Sequence, residues 1–379
     1  MTASGIIVSL TAPLEVLFAR EFSDSSMYIA VFMLTSALGV IMVDVFGTRF
    51  VPGLNARAAL AAGLFLFGIS CIGMGLAHND TLLMTSRVMQ GFGGGMTLGG
   101  GLQAAVRVRP GPAESARALG SFNAAFLFGG AVGSPGGLLV AALLEGNDGY
   151  RIAFTVTGML AVLLSAMHAV VLPRLAAPPG VPRPQFGLPR FAKTPGSGAT
   201  LVLAMLGDFV RGGVLFTALP LAGAVRGYST MTIALAIALM SGVEIVVLMI
   251  SYRIIRRVGV VTVLMVAFAV GTLCAVLLAL MHDSTTYLVA SVLFGITLAG
   301  STASLPLVVM AQVGDSSTGL AKFRISAGIG ILAGSVGCAV LGTRLGVTPL
   351  FALVALVLLA SVQLAFFVGR RISPSAQFL

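Results

Sequence analysis

The sequence predicts an all-α integral membrane protein of twelve transmembrane helices in two six-helix halves. Three observations carry this. Of 379 residues, 58% are hydrophobic and only 9% charged, with a mean hydropathy of +1.06. A water-soluble domain carries about 25% charged residues, so this chain lacks the polar surface a soluble fold needs. Apolar runs of membrane-crossing length recur along the whole chain. Finally, one cationic, Pro- and Gly-rich stretch divides those runs evenly, and Lys and Arg alternate in abundance between successive loops.

In chain order the runs lie near 3–19, 27–46, 57–77, 82–106, 116–143 and 152–173, then 198–222, 230–252, 258–281, 285–313, 320–343 and 346–369. They are rich in Ala, Gly, Leu and Val without strict alternation, which is the pattern of helices rather than barrel strands. The first is the shortest, about 17 residues or roughly 25 Å of helix. It has no basic leader and no small-residue cleavage site before Glu15, so a secretory signal is not expected. A start codon set too late would account for its shortness. Residues 174–197 read as an extended cytoplasmic linker. The expected domains are therefore 1–173, the linker 174–197, and 198–379. Equal halves of this kind mark a parallel repeat, two six-helix bundles related by a pseudo-two-fold axis.

With the N-terminus inside, the inner segments hold sixteen basic residues: Arg49, Arg57, Arg107, Arg109, Arg117, Arg174, Arg183, Arg190, Lys193, Arg253, Arg256, Arg257, Lys322, Arg324, Arg370 and Arg371. The outer segments hold four: Arg20, Arg151, Arg226 and Arg344. That asymmetry on short loops places both termini in the cytoplasm of a cell that carries the protein in its inner or plasma membrane. The net charge of +10 is thus an orientation signal, with some attraction to anionic lipid, and not a nucleic-acid footprint. Cys71, Cys274 and Cys338 sit far apart in apolar runs and read as small packing residues. No metal or other cofactor is expected. Nor is an enzyme, because no metal-ligand cluster, nucleophile–base pair or soluble domain stands out.

Ionisable residues inside apolar runs are the sharpest functional signal, since each is expensive in hydrocarbon unless it faces protein or a water-filled cavity. They are Glu15, Asp44 and Arg87 in the first half, and Asp208, Arg211 and Glu244 in the second. Glu15 can instead reach water beside Arg20. Asp208 and Arg211, three residues apart on one helix, can neutralise each other. Glu244 has no basic residue nearby in sequence. His168 is the one histidine inside a run, a position open to a proton relay. The run Gly91-x-Gly93-Gly94-Gly95 is not a nucleotide loop, because no strand precedes it.

Four places carry a family resemblance. Arg87-Val-Met-Gln90-Gly91 matches the fourth-helix motif RxxQG of major facilitator superfamily transporters. Asp44-Val-Phe-Gly47-Thr-Arg49 resembles the core of that family's loop motif GxLaDrxGRR. Gly120, Gly129, Gly133 and Gly137 have the spacing of the antiporter motif of helix five, and Tyr150-Arg151 ahead of Phe154 resembles the WR..F opening of helix six. The chain is similar to the twelve-helix drug:proton antiporter branch over nearly its whole length. It departs at Val45 and Thr48 in the loop motif. A second copy at Arg256-Arg257-Val258-Gly259 carries Arg where an acidic residue is usual, and Gly133-Ser134-Pro135 stands where Gly-Pro is usual.

The resemblance implies a proton-coupled exporter of small hydrophobic or amphipathic compounds, acting by alternating access as a monomer in lipid. Glu15, Arg87, Gln90, Asp208, Arg211 and Glu244 would line the substrate and proton pathway, with Asp208 or Glu244, and then Glu15, as proton carriers. Asp44, Gly47 and Arg49 would form a cytoplasmic gate. Gly129, Gly133, Pro135 and Gly137 would shape the conformational change, the glycines by close helix approach and Pro135 by loosening one backbone bond. Carriage of a proton fits the residue type, because burial raises a carboxylate's pKa toward neutrality. The alternatives are an uptake carrier or a lipid or anion transporter of the same fold and, in another class, a non-transporting membrane enzyme or scaffold.

Overall fold

The computed structural model describes residues 1–50, 55–108, 112–144, 147–173, 197–313 and 317–372. The 174–197 linker and its cationic residues therefore lie almost wholly outside the described residues. The described chain is helical: α1 (Thr2–Leu10), α2 (Glu15–Phe22), α3 (Ser26–Phe50), α4 (Ala56–Gly75), α5 (Asp80–Val108), α6 (Pro112–Leu143) and α7 (Asn147–Val171), then α8 (Ser197–Val210), a π-helical stretch Arg211–Ala218, α9 (Leu219–Val225), α10 (Thr230–Val258), α11 (Val260–Ala279), α12 (Ser284–Val313), α13 (Ser317–Arg344) and α14 (Val347–Gly369).

Among the described residues nine helices are long and apolar enough to cross a membrane, and Ser26–Val40 and Phe128–Leu143 add two shorter apolar helices. Helix α5 spans 29 residues, ample for a crossing at 1.5 Å per residue. Its Arg, Gln, Ser and Gly content keeps it less apolar than the nine. Large apolar side chains stand outward along the helices, as in α7 with Val156, Met159, Leu163, Met167 and Val170. An apolar face of that extent is at home in lipid rather than water. Interior and exterior are both oily, so the informative contrast is where the polar groups go.

The first crossing is longer than its 17-residue reading. It runs Thr2–Phe22, broken at residues 11–14. Pro13 cannot donate to the preceding turn and its ring crowds the carbonyl four residues back. The helix therefore stops at Leu10 and restarts at Glu15, whose carboxylate suits the new N-terminus. Elsewhere capping sets the ends. Asn55 Oδ1 accepts from Ala58 N at 2.8 Å at the start of α4, and Ser229 Oγ accepts from Thr232 N at 3.2 Å at the start of α10. Gly259, at φ 86°, ends α10 and begins α11 with a conformation that L side chains avoid. Arg256 and Arg257 in the preceding turn complement the carbonyl end of α10.

The chain divides into two compact units, Met1–Leu14 with Val31–Leu188 and Glu15–Ala30 with Pro189–Leu379. In the first, α4 packs on α5 and α7, and α1 packs on α6. The antiparallel pair α4/α7 is tied at both ends. Arg57 Nη1, at the start of α4, donates to Leu172 O beyond the end of α7 at 3.2 Å. Arg151 Nη1, at the start of α7, donates to Gly75 O at 3.3 Å and Ala77 O at 2.5 Å at the end of α4. Between them Ser165 Oγ donates to Ala61 O at 2.7 Å. In the second unit α10 packs on α12, α11 on α12 and α14, and α13 on α8 and the π stretch. There Thr348 Oγ1, at the start of α14, donates to Ala279 O at the end of α11 at 3.0 Å.

Candidate functional site

The first cluster forms around Arg87. It and Gln90 stand three residues apart on α5, hence on one face, and both are buried at 3% and 2% exposure. Arg87 Nη1 donates to Gln90 Oε1, and Nε donates to Phe32 O of α3 at 3.3 Å. The guanidinium carbon lies 4.8 Å from the centre of the Phe32 ring, a cation–π contact. With its oxygen engaged, the Gln90 amide turns its nitrogen outward, and Nε2 donates to Thr11 Oγ1 at 3.1 Å. It also approaches Cys71 Sγ of α4 at 3.6 Å. Thr11 lies in the break of the first crossing. One arginine and one amide therefore join α3, α4, α5 and the α1–α2 break.

The second cluster forms around Arg211, first residue of the π stretch. Its Nη2 donates to Glu244 Oε1 of α10 and to Thr302 Oγ1 of α12 at 2.7 Å. Glu244 is fully buried; its second oxygen, Oε2, is buried without a hydrogen-bond partner, as is Ser241 Oγ one turn earlier. Two expectations are corrected here. Arg211 forms no ion pair with Asp208 among the described residues, although its charge still acts on that half-buried carboxylate. Nor is Glu244 without a basic neighbour, since Arg211 reaches it across 33 positions of sequence. Glu244 is the more deeply buried of the two carboxylates, so it is the one that needs a guanidinium to offset the cost of its burial.

The helix-five glycines face a partner backbone. A Cβ on Gly129, Gly133 or Gly137 would strike the carbonyls of Thr2, Ile6 or Leu10 of α1, and one on Gly5 would strike Phe126 O. Spaced by four, the three make a smooth strip along which α1 lies. Pro135 falls inside α6 without ending it. Asp44, Gly47 and Arg49 lie not in a loop but in the last turns of α3, which runs to Phe50; their side chains lie outside the described residues. Arg151 does more than mark topology, because it closes the end of α4, and Phe154 beside it is fully buried. His168 Nδ1 hydrogen-bonds Leu164 O within its own helix at 2.7 Å.

The six expected pathway residues thus separate into Arg87 with Gln90 and Arg211 with Glu244, Asp208 standing one turn before Arg211. Glu15, buried at the head of α2, belongs with the second unit, where α2 packs on α9 and the π stretch. Sequence reasoning missed Thr11, Phe32, Cys71 and Thr302. Only Thr11 left a signal, its place just ahead of a helix-breaking proline. Among the described residues no three His, Cys, Asp or Glu side chains gather as metal ligands would.

Comparisons with known proteins agree with this architecture. The family described as Major Facilitator Superfamily matches residues 1–321. No curated relative matches the sequence. Among solved structures, the fold is similar to a bacterial homolog of the human lysosomal transporter Spinster in an inward-facing, unoccupied conformation, at 14% identity and TM-score 0.71, covering 98% of this chain and 96% of that one. It is likewise similar to the nucleoside transporter NupG (15%, TM-score 0.72, 98% of each chain). A third is the human organic anion transporter MFSD10 (14%, TM-score 0.64, 96% of this chain and 97% of that one).

Proposed function

The chain belongs to the major facilitator superfamily, whose members are membrane transporters and not enzymes, and from that premise we propose that it is a proton-coupled exporter of small hydrophobic or amphipathic compounds. The observation that carries this reading is the second cluster, an arginine and a fully buried glutamate inside apolar helices with a second carboxylate one turn away. Ionisable groups at such depth are costly to a purely structural protein and useful to one that moves charge. In this reading twelve crossings form two six-helix bundles, 1–173 and 198–379, joined by the cytoplasmic segment 174–197. Both termini are cytoplasmic, the protein is a monomer in the inner or plasma membrane, and alternating access exposes Asp208 and Glu244 to each side in turn.

Arg87, Gln90 and Glu15 line the path in this account. Asp44, Gly47 and Arg49 form the cytoplasmic gate, and the Gly129, Gly133, Pro135 and Gly137 strip lets α1 and α6 move against each other while staying in contact. Reconstituted protein tests the proposal. An imposed pH gradient, acidic on the side toward which substrate moves, should drive accumulation of radiolabelled amphipathic compounds, and Asp208→Asn should abolish it. Accumulation that continues unchanged after the gradient is collapsed would exclude proton coupling, and accumulation toward the alkaline side would make the protein an uptake carrier.

A further inference from the structure

We propose that the ends of α10 and α14 together form a binding site for an anionic phospholipid, its phosphodiester held between the Arg256–Arg257 and Arg370–Arg371 pairs. Both helices are long and apolar enough to cross a membrane, and they end at Val258 and Gly369. Those ends meet at the start of α11. Gly259 alone separates α10 from α11, and a Cβ on Gly369 would strike the Val261 side chain in the first turn of α11. At the other end of α14, Thr348 bonds Ala279 at the end of α11, so α14 runs antiparallel to α11 along its length. The two arginine pairs therefore flank one helix turn at one level of the second unit.

What sets these arginines apart is their posture. An arginine at the end of a crossing helix ordinarily stretches along its stem toward water. Three of these four fold back instead, each over the ring one turn earlier in its own helix. Arg256 lies over Tyr252 at 5.7 Å, Arg370 over Phe366 at 4.4 Å and Arg371 over Phe367 at 4.2 Å. The rings are themselves exposed, at 62%, 48% and 45%. A cation–π contact leaves the N–H fork of a guanidinium unused. Among the described residues none of the four side chains makes a hydrogen bond or an ion pair, and all four are exposed. Arg57 and Arg151, by contrast, spend their donors on backbone carbonyls, and Arg20 pairs with Asp24.

The sequence supplies little counter-charge here. It has no Asp or Glu between Glu244 and Asp283, and none after Asp315. Glu244 is engaged by Arg211, Asp283 follows the opposite end of α11, and Asp315 lies outside the described residues. Open guanidinium forks at one level suit the oxygens of a phosphate group, which they can hold in pairs. The rings decide where that phosphate comes from. A soluble anion would engage the arginines and leave three exposed rings uncovered. A phospholipid answers both, with its phosphodiester on the arginines and its acyl chains along the rings. The site holds whatever the chain transports.

The chain has no tryptophan, so a single one reports on the site. Phe366→Trp keeps a ring under Arg370, and Met159→Trp, at an exposed position of α7, is the control. The full-length chain is reconstituted in phosphatidylcholine vesicles carrying a minor fraction of brominated phosphatidylglycerol or brominated phosphatidylcholine, and fluorescence quenching gives their relative association. Phe366→Trp should prefer the anionic lipid by at least roughly fivefold, and Met159→Trp should show no preference. The preference should survive about 0.5 M salt, where screening falls to roughly 4 Å. Arg256→Gln with Arg257→Gln, and Arg370→Gln with Arg371→Gln, should each lower it below about twofold. All four together should lower it no further, because one headgroup bridges both pairs. Either pair suffices if the other variant misfolds. Equal quenching by the two lipids would overturn the inference. So would loss of the preference in salt or additive losses from the two pairs, which mark a diffuse surface charge. Displacement of the brominated lipid by soluble glycerophosphoglycerol would make the ligand a soluble anion and overturn it too.

Discussion

Among the described residues, Arg87 is buried and Arg211 nearly so, and the two are held in opposite ways. The bonds described for Arg87 run to an amide, a backbone carbonyl and an aromatic face; those for Arg211 run to a carboxylate and a hydroxyl. The first set knits four segments of one unit together through groups whose charge does not change with pH. The second includes a carboxylate, a full opposite charge. Both arginines would look alike in a hydropathy plot, yet one reads as a joint among uncharged partners and the other as half of an ion pair. Burial depth does not separate the roles; the partner's chemistry does.

That contrast can be broken or sharpened by substitution. The largest effect is expected from Arg211→Gln, which leaves Glu244 buried and uncompensated and should cost about 3–5 kcal/mol of stability. Thermal melting of the purified protein measures it, and Glu244→Gln should cost clearly less, because Arg211 then has Asp208 within one turn. Equal losses would show that Arg211 has no second partner to reach. Arg87→Lys keeps the charge but loses the planar fork that serves Phe32 O and Gln90 together, for a loss of roughly 1.5–3 kcal/mol. A lysine variant melting with wild type would remove the joint from the first unit.

Gly133→Leu drives a side chain into Ile6 O of α1 and should cost about 1–3 kcal/mol. Gly94→Ala, at a position with open space around it, should instead gain roughly 0.5–1 kcal/mol. If both shift the melt alike, the α6 strip is not a close-contact surface. Least of all, Asn55→Ala removes the cap of α4 and should cost about 1 kcal/mol, without changing ligand binding.

Much of the fold was legible because lipid imposes a simple rule: long apolar runs must be helices. The runs near 57–77, 258–281 and 346–369 match α4, α11 and α14 closely. The shared face of Arg87 and Gln90 was legible too, since residues three apart point the same way. The Arg211–Glu244 pair was not. Periodicity says which face a residue occupies but not which helix lies opposite, and here local spacing pointed Arg211 at Asp208 instead. The hydroxyls of Thr11 and Thr302 were hidden for a different reason. Threonine is common in apolar helices, usually bonding its own backbone as Thr97 and Thr157 do, so nothing in the letter announces a long-range role.

The reciprocal arginine caps of α4 and α7 limit how the first unit can rearrange. Sliding one helix past the other by a single turn, about 5.4 Å, would pull Arg57 from Leu172 and Arg151 from Gly75 and Ala77 in the same motion. At about 1 kcal/mol net for each bond, the two caps together favour one register of α4 against α7, so that other helices rotating or tilting on the pair meet a surface of constant length.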